Sequence, residues 1–303
     1  MTTALLAIDW GTTTARVYRL NAAGEVLDQR SGPYGILQVS EGNFPAALAT
    51  LLGDWANEPV PRLACGMIGS RQGWREAPYV DCPASLDALA DGIVTAGDEL
   101  RIVPGLIARD AHGTPDVLRG EETQLAGAVA RDEPRVLAIL PGTHSKWAIV
   151  EQGTVVDFAT FMTGELYSVL LEHSILGRLV EPSTEVGSGF ASGVQHGLQG
   201  GGLTHDLFAA RTLALTGVLA GNEVAAWLSG LLIGREIHDG RTWFEQRTGA
   251  SLNDTAVRLI GTAALSQRYA EALKIAGHAA QPGPVVAAAH GLWSIARQAG
   301  IVT

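Results

Sequence analysis

The stretch AIDWGTTTARVYRL, residues 7–20, decides the fold. An apolar run ends in Asp9, a Gly-Thr-Thr-Thr turn follows, and the run from Ala15 to Leu20 alternates apolar residues with arginine. Two such runs around a glycine-containing turn predict a pair of strands. A third strand is expected from Glu25 to Arg30, so the chain opens with a meander.

The same pattern returns in AILPGTHSKWAIV, residues 138–150, and a third strand is again expected, at 154–158. This weak internal repeat predicts two similar halves. Strands alternate with helical patterns along the chain, which indicates an α/β protein. We place the domain boundary at the polar sequence RDEP, giving domains 1–133 and 134–303.

Three further expectations concern less regular segments. Residues 100–107 read as one strand, and a short strand is expected around Val285. Seven of the 37 glycines crowd into residues 187–202, which we read as a loop, either a mobile flap or a plain surface connection.

Composition limits the class of protein. The 303 residues are 47% hydrophobic and 17% charged, which excludes intrinsic disorder. A net charge of −10 argues against nonspecific nucleic-acid binding. Neither a membrane span nor a signal peptide is recognisable, so we expect a cytoplasmic protein. The two cysteines and eight histidines lack metal-ligand spacing, and the oligomeric state stays open, a homodimer included.

The first turn has the chemistry of a phosphate site. Gly11 lets the backbone approach a phosphate closely, the hydroxyls of Thr12 and Thr13 can bond its oxygens, and Asp9 at the strand end can hold a hydrated Mg²⁺. An ordinary hairpin turn is the alternative.

A second turn, at Gly142 and Thr143, lies in the same strand-turn-strand context and lacks the spacing of a P-loop. The pair therefore predicts a phosphate held by two hairpins. His144 and Lys146 lie beside it and are candidates to contact phosphate or substrate. For Lys146 the alternative is an exposed strand residue, and for His144 a local hydrogen bond.

A third segment, RLIGTAALSQRYAEAL at residues 258–273, has a predicted strand that ends at Gly261 and a helix that starts among small residues, Ser266 included. Such a junction opens space for an adenine base, although most junctions of this kind only pack.

In their order, DWGTT, PGTHS and IGTAALSQRYAEAL resemble the phosphate-1, phosphate-2 and adenosine motifs of the actin-like ATPase superfamily, which includes sugar kinases and Hsp70 chaperones. More narrowly, the chain is similar to the 2-dehydro-3-deoxygalactonokinase family, also called 2-keto-3-deoxygalactonate kinases. That likeness covers nearly the whole chain and lies in CGMIGSRQGWREAPYVDCPA (65–84), LRGEETQLAGA (118–128), ILPGTHSKW (139–147) and FMTGELY (161–167). It implies two actin-like ATPase (ribonuclease H-like) domains that face each other across a nucleotide cleft.

The resemblance also implies the catalytic base. Sugar kinases of this superfamily place an acidic residue at the start of a helix to accept the proton of the substrate hydroxyl, and Glu121 matches that position. The usual residue is aspartate, so Glu122 and then Asp9 stay open as alternative bases. The alternative without a catalytic role is that these carboxylates only cap the helix.

Substrate contacts are expected in two segments. The guanidinium of Arg71 can pair with the carboxylate of a sugar acid, while Ser70 and Gln72 can read hydroxyls and Trp74 offers an aromatic face. A solvated surface loop is the alternative. Glu165 is a candidate substrate contact or a helix cap.

The reaction implied by the resemblance moves the γ-phosphoryl group of MgATP to the C6 hydroxyl of 2-dehydro-3-deoxy-D-galactonate, a step in galactonate catabolism. A kinase for another sugar or sugar acid and a non-catalytic ATP-binding switch are the alternatives.

Overall fold

The computed structural model describes residues 2–97, 100–181 and 189–303. The chain separates into two compact units. The first runs to Val136 and also takes in Ala148–Phe158 and Gly283–Thr303; the second consists of Leu137–Trp147 and Ala159–Pro282. The sequence predicted a single boundary between residues 133 and 134, whereas these units are built from interleaved segments of the chain.

Strands occupy both halves of the chain. They are β1 (Leu5–Trp10), β2 (Ala15–Leu20), β3 (Val26–Gly32), β4 (Arg62–Gly66), β5 (Tyr79–Asp81), β6 (Val94–Ala96), β7 (Leu100–Ile102), β8 (Gly105–Arg109), β9 (Pro115–Leu118), β10 (Val136–Leu140), β11 (Ser145–Glu151), β12 (Thr154–Phe161), β13 (Ala256–Leu259) and β14 (Gln281–Pro282). Three sheets result, with strand orders β3-β2-β1-β4-β7-β6, β12-β11-β10-β13-β14 and β5-β8-β9.

Helices lie between the strands and after them. They are α1 (Phe44–Leu52), α2 (Leu86–Asp91), α3 (Glu121–Ala128), α4 (Thr163–His173), α5 (Gly189–Leu198), α6 (Leu203–Leu215), α7 (Val224–Thr248), α8 (Ala263–Ile275) and α9 (Ala287–Gln298). Helix α1 starts where the Asn43 side chain accepts a hydrogen bond from the Ala46 N–H, which is a typical N-cap.

The opening meander is confirmed. Strand β1 pairs antiparallel with β2 and parallel with β4, and the β4 register places Asp9 opposite Cys65. The apolar residues of β1 are fully buried. Both faces of β1 are therefore covered, as expected for a central strand of the sheet.

The single strand expected at 100–107 is wrong. Residues 100–102 form β7 in the six-stranded sheet, while residues 105–109 form β8 in the three-stranded one. Pro104 lies between them and has no N–H to donate to a ladder, which explains the interruption.

In the first unit, α3 and α9 pack with their backbones in close contact. A Cβ atom on Gly127 would lie 2.0 Å from the Ala287 carbonyl oxygen, and one on Gly291 would lie 1.7 Å from that of Thr123. Only glycine permits this approach, and it fixes the helix that begins at Glu121 against the body of the unit.

The loop expected at 187–202 is also wrong for most of its length. Residues 189–198 form α5, and Gly193 and Gly197 face α7, where added Cβ atoms would lie 2.1 Å and 2.3 Å from backbone carbonyl oxygens. On α7, Gly230 and Gly234 make the matching approach. These glycines therefore serve helix packing; Gly187 falls outside the described residues.

Near the C-terminus, the short strand is β14 at Gln281–Pro282. The expectation of a strand around Val285 is wrong, since that side chain is 98% exposed and precedes α9. Among the described helices, none is long and apolar enough to span a membrane.

Candidate active site

Three chain segments of the first unit meet where β1 and β4 end and α3 begins. A Cβ atom on Gly66, the last residue of β4, would lie 2.6 Å from the Trp10 carbonyl oxygen. One on Gly120, directly before α3, would lie 3.2 Å from the Gly66 Cα. Both glycines have positive φ angles, 91° and 107°, which other residues rarely adopt. These contacts bring Glu121 close to the strand end that carries Asp9.

Glu121 and Glu122 differ in environment. Glu122 is 1% exposed, and its carboxyl oxygens accept hydrogen bonds from the Gly120 N–H at 2.6 Å and the Thr123 hydroxyl at 2.9 Å. Burial, and then the charge of Glu121, raise the pKa of Glu122 to about 8. Glu121 is partly exposed, and its Oε2 accepts the Arg119 N–H at 3.0 Å.

Asp9 is a largely enclosed carboxylate. Its side chain is 17% exposed, and the Arg16 guanidinium lies 3.6 Å away. Burial raises the pKa of Asp9, and Arg16 opposes that shift. The neighbouring Cys65 thiol is buried, and its pKa is raised well above the usual value by desolvation and by the charges of Asp9 and Glu122. This cysteine is an inert core thiol.

The first turn presents its hydroxyls to solvent. Thr12 and Thr13 are exposed, while their backbone carbonyls accept hydrogen bonds from Leu37 and Gly35. A Cβ atom on Gly35 would lie 2.3 Å from the Thr13 backbone, so the following loop packs directly on the turn. The Gly11 N–H closes the turn on the Thr14 carbonyl at 2.9 Å. The backbone of the turn is therefore held by the loop that packs on it, while the side chains of Thr12 and Thr13 remain exposed to solvent.

The 70–74 segment, which we expect to bind a sugar acid, has two exposed side chains and two that are buried or packed against the core. Arg71 and Gln72 are exposed. The Ser70 hydroxyl is buried and has no hydrogen-bond partner among the described residues. Trp74 stacks on Phe44, with ring centroids 6.3 Å apart and planes 11° apart, so much of its ring packs against the core.

Sequence reasoning missed Arg119. Its guanidinium lies 4.3 Å from the Tyr79 ring centroid, and its Nη2 donates to the Ala77 carbonyl at 2.9 Å. A Cβ atom on Gly69 would lie 2.9 Å from its Nη1. Arg119 thus joins the 69–79 segment to the residues just before Glu121. Its position directly before the Gly-Glu-Glu sequence is the signal that could have found it.

In the second unit, the other predicted segments meet at the 141–145 turn. A Cβ atom on Gly164 would lie 2.4 Å from the Gly142 carbonyl oxygen, and the Glu165 N–H donates to the Thr143 carbonyl at 3.0 Å. On the other side, a Cβ atom on Gly261 would lie 3.4 Å from the Pro141 oxygen and 3.5 Å from the Ser266 hydroxyl. The structure therefore brings together the second turn, the start of α4 and the junction before α8.

Side chains around this turn are paired. His144 contacts the Glu165 carboxylate through its Nε2, and both side chains are partly exposed. Lys146 is 7% exposed, and its ammonium donates to the Thr160 hydroxyl at 2.7 Å. The alternative of an exposed strand residue is therefore wrong for Lys146, because β11 is buried on both faces.

No group of three or more metal-ligating side chains occurs in the part of the chain that the structure describes. A hydrated Mg²⁺ needs no such group, since it is typically held by one or two carboxylates, water and substrate phosphates. The enclosed carboxylate of Asp9 is a group of this kind in the first unit.

Comparison with known proteins identifies the family. The family model described as 2-keto-3-deoxy-galactonokinase matches residues 9–295. The chain belongs to this kinase family. It is accordingly a sugar-acid kinase, and the alternative of a non-catalytic switch protein is not retained.

Individual relatives agree with the assignment to the 2-keto-3-deoxy-galactonokinase family. The kinase is 35% identical over 279 residues to the 2-dehydro-3-deoxygalactonokinase of Escherichia coli (strain K12), covering 91% of each chain. It is 34% identical to a Sinorhizobium meliloti protein whose crystal structure is described as that of "a putative 2-dehydro-3-deoxygalactonokinase protein". The TM-score is 0.86, with coverage of 97% of this chain and 98% of that one.

A more distant likeness concerns the fold of the kinase alone. Component A of the Acidaminococcus fermentans (R)-2-hydroxyglutaryl-CoA dehydratase superposes with a TM-score of 0.53 at 14% identity, over 98% of this chain and 100% of that one. The α/β actin-like ATPase fold implied by the resemblance is confirmed.

Proposed function

We propose that this kinase transfers the γ-phosphoryl group of ATP to the C6 hydroxyl of 2-dehydro-3-deoxy-D-galactonate, giving the 6-phosphate and ADP. Its relatives carry the name of that sugar-acid kinase. The observation that carries the chemistry is the approach of Glu121 to the end of β1, where Asp9 lies next to the first turn.

Glu121 is proposed as the general base. It is partly exposed at the start of α3, and the Arg119 N–H orients one of its oxygens. Glu122 is less suited as the base, because it is buried and both of its carboxyl oxygens are hydrogen-bonded. Proton removal from the attacking hydroxyl by Glu121 supplies the acid–base part of the barrier reduction.

Binding of the phosphates is proposed for the two turns. The hydroxyls of Thr12, Thr13 and Thr143 are exposed, and the glycines Gly11 and Gly142 leave room for close approach. Asp9 would hold Mg²⁺, mostly through water, and the ion would neutralise phosphate charge. The small, exposed residues Gly261 and Thr262 before α8 offer a flat surface for the adenine, with Ser266 above Gly261.

Recognition of the sugar acid is proposed for the exposed cation Arg71, through a bidentate contact to the carboxylate. Gln72 would bond a hydroxyl, with Trp74 as a wall of the site. The Ser70 hydroxyl is buried, so its contact with substrate stays a prediction. Lys146 and Glu165 are further candidates for substrate contact in the second unit.

A coupled ADP-release assay across 2-keto-3-deoxy acids tests the assignment. We expect turnover with the galactonate compound and much lower turnover with its gluconate epimer. Turnover with another sugar acid, and none with the galactonate compound, would favour a kinase of different specificity.

A further inference from the structure

The second unit contains a buried carboxyl group that the proposed catalytic roles do not use. Glu236 lies in the middle of α7 and is 2% exposed. A buried carboxyl group is costly unless it is well hydrogen-bonded, so its partners indicate why it is there.

Glu236 connects three separate elements. One oxygen accepts the Trp147 indole N–H of β11 at 2.8 Å, and the other accepts the Tyr269 hydroxyl of α8 at 2.6 Å. The Thr163 hydroxyl, at the start of α4, also bonds the carboxylate. Burial raises the pKa of Glu236, while hydrogen bonds from Thr163, Tyr269, Trp147 and Ser145 lower it.

Each partner of Glu236 lies beside the 141–145 turn. The Tyr269 hydroxyl is 2.8 Å from the Ser145 hydroxyl, and Ser145 is the residue at which the turn enters β11. Thr163 precedes Gly164, which packs against the Gly142 carbonyl. One carboxylate thus fixes the turn from the strand that follows it, from α4 and from α8.

Close packing makes this connection rigid. A Cβ atom on Gly240, one turn further along α7, would lie 2.6 Å from the Trp147 ring, so the helix is pressed against the indole. Tyr269 is 2% exposed, and Ser145 is fully buried. A rigid turn presents its backbone N–H groups to a phosphate without a further ordering cost at binding.

We propose that Glu236 is a positioning residue for the nucleotide phosphates, which acts through Tyr269 and Ser145 on the 141–145 turn. The assignment rests on the proposed function, since it deepens the role of that turn. Glu236 is 2% exposed and its oxygens are hydrogen-bonded within the fold, so it is a positioning residue rather than a catalytic one.

Two substitutions test the connection. Tyr269→Phe keeps the ring packing and removes a hydroxyl that bonds both Glu236 and Ser145. Glu236→Gln keeps the side-chain volume but replaces one acceptor by a donor, which leaves Trp147 or Tyr269 without its acceptor. The matched controls are Tyr167→Phe, on α4, and Glu271→Gln, at an exposed position of α8.

The readout is calorimetric binding of ADP with Mg²⁺ and of adenosine, each to wild type and variants. We expect both test variants to bind ADP about tenfold more weakly, as for one lost buried hydrogen bond, and adenosine within about twofold of wild type. The controls should bind both ligands like wild type. The losses caused by Tyr269→Phe and Ser145→Ala should not be additive when the two are combined, because both remove partners of the same carboxylate.

The discrimination between ADP and adenosine separates positioning from general stability. Unchanged ADP affinity in Tyr269→Phe, or an equal loss for ADP and adenosine, would overturn the assignment. If Glu236→Gln does not fold, Tyr269→Phe decides. Wild-type protein that binds neither ADP nor ATP would instead refute the proposed function, and this assignment with it.

Discussion

Glu121 and Glu122 are adjacent in sequence, yet only Glu122 is buried, with its carboxyl oxygens bonded to the Gly120 N–H and the Thr123 hydroxyl. Glu121 is partly exposed at the same helix start. The two residues therefore have separable roles, one in chemistry and one in holding the turn before α3, and each role makes its own prediction.

Glu121→Gln should lower kcat by roughly 10²-fold or more, since it removes a general base while keeping the size of the side chain. The KM for the sugar acid should change little. Steady-state kinetics at saturating ATP measures both. Turnover near that of wild type would exclude Glu121 as the base and return attention to Asp9.

Glu122→Gln should change the pH dependence of stability. The folded state holds the Glu122 proton up to a pKa of about 8, against an ordinary value of 4.5, so the native state binds more protons between those values. Wild-type stability is therefore lost as pH rises through this window, by at most about 1.4 kcal/mol per pH unit. Urea unfolding at pH 5 and pH 7.5 measures the slope.

In Glu122→Gln the slope of unfolding free energy against pH should be shallower than in wild type. Other buried carboxyl groups, such as Glu236, contribute equally to both proteins and cancel in the comparison. Identical slopes would mean that Glu122 is ionised in the folded state.

Arg71→Ala should raise the KM for the sugar acid about tenfold or more and leave the KM for ATP unchanged, because it removes a charged hydrogen-bonding partner of the acid group. Arg71→Lys should recover only part of the loss, since lysine cannot form the bidentate contact. Arg75→Ala, at an exposed position nearby, is the control. Equal, small effects of Arg71→Ala and Arg75→Ala would refute the carboxylate contact.

Gly193→Ala should destabilise the protein. Alanine adds about 1 kcal/mol of helix propensity. Its Cβ atom, however, would lie 2.1 Å from the Trp227 carbonyl oxygen, and backbone cannot move aside cheaply. Overpacking of this kind costs about 1–3 kcal/mol. In Gly202→Ala, by contrast, the nearest atom would be 3.9 Å away. Thermal unfolding of both compares them, and equal melting temperatures would contradict the packing role.

The helix α5 shows what the sequence could not predict. Its glycines are poor helix formers and read as a loop, but they recur every four residues at 189, 193 and 197, which places them on one helix face. Only tertiary packing against α7 makes that face favourable. The four-residue spacing of these glycines could have predicted the helix, but a segment so rich in glycine was interpreted as a loop.

The paired turns were predictable because local chemistry specifies them: short apolar strands, a glycine and threonines. The difference between Glu121 and Glu122 was not, since either could face the core until the direction of α3 is known. Lys146 was likewise ambiguous, because a lysine in a strand is usually exposed and here it lies on a strand buried on both faces.

The most direct test of the central claim is product analysis by phosphorus and carbon NMR after incubating the purified kinase with MgATP and 2-dehydro-3-deoxy-D-galactonate. The account predicts one phosphate ester, at C6, formed in equal amount to ADP. ADP release without a phosphorylated acid, or phosphate at another hydroxyl, would contradict it.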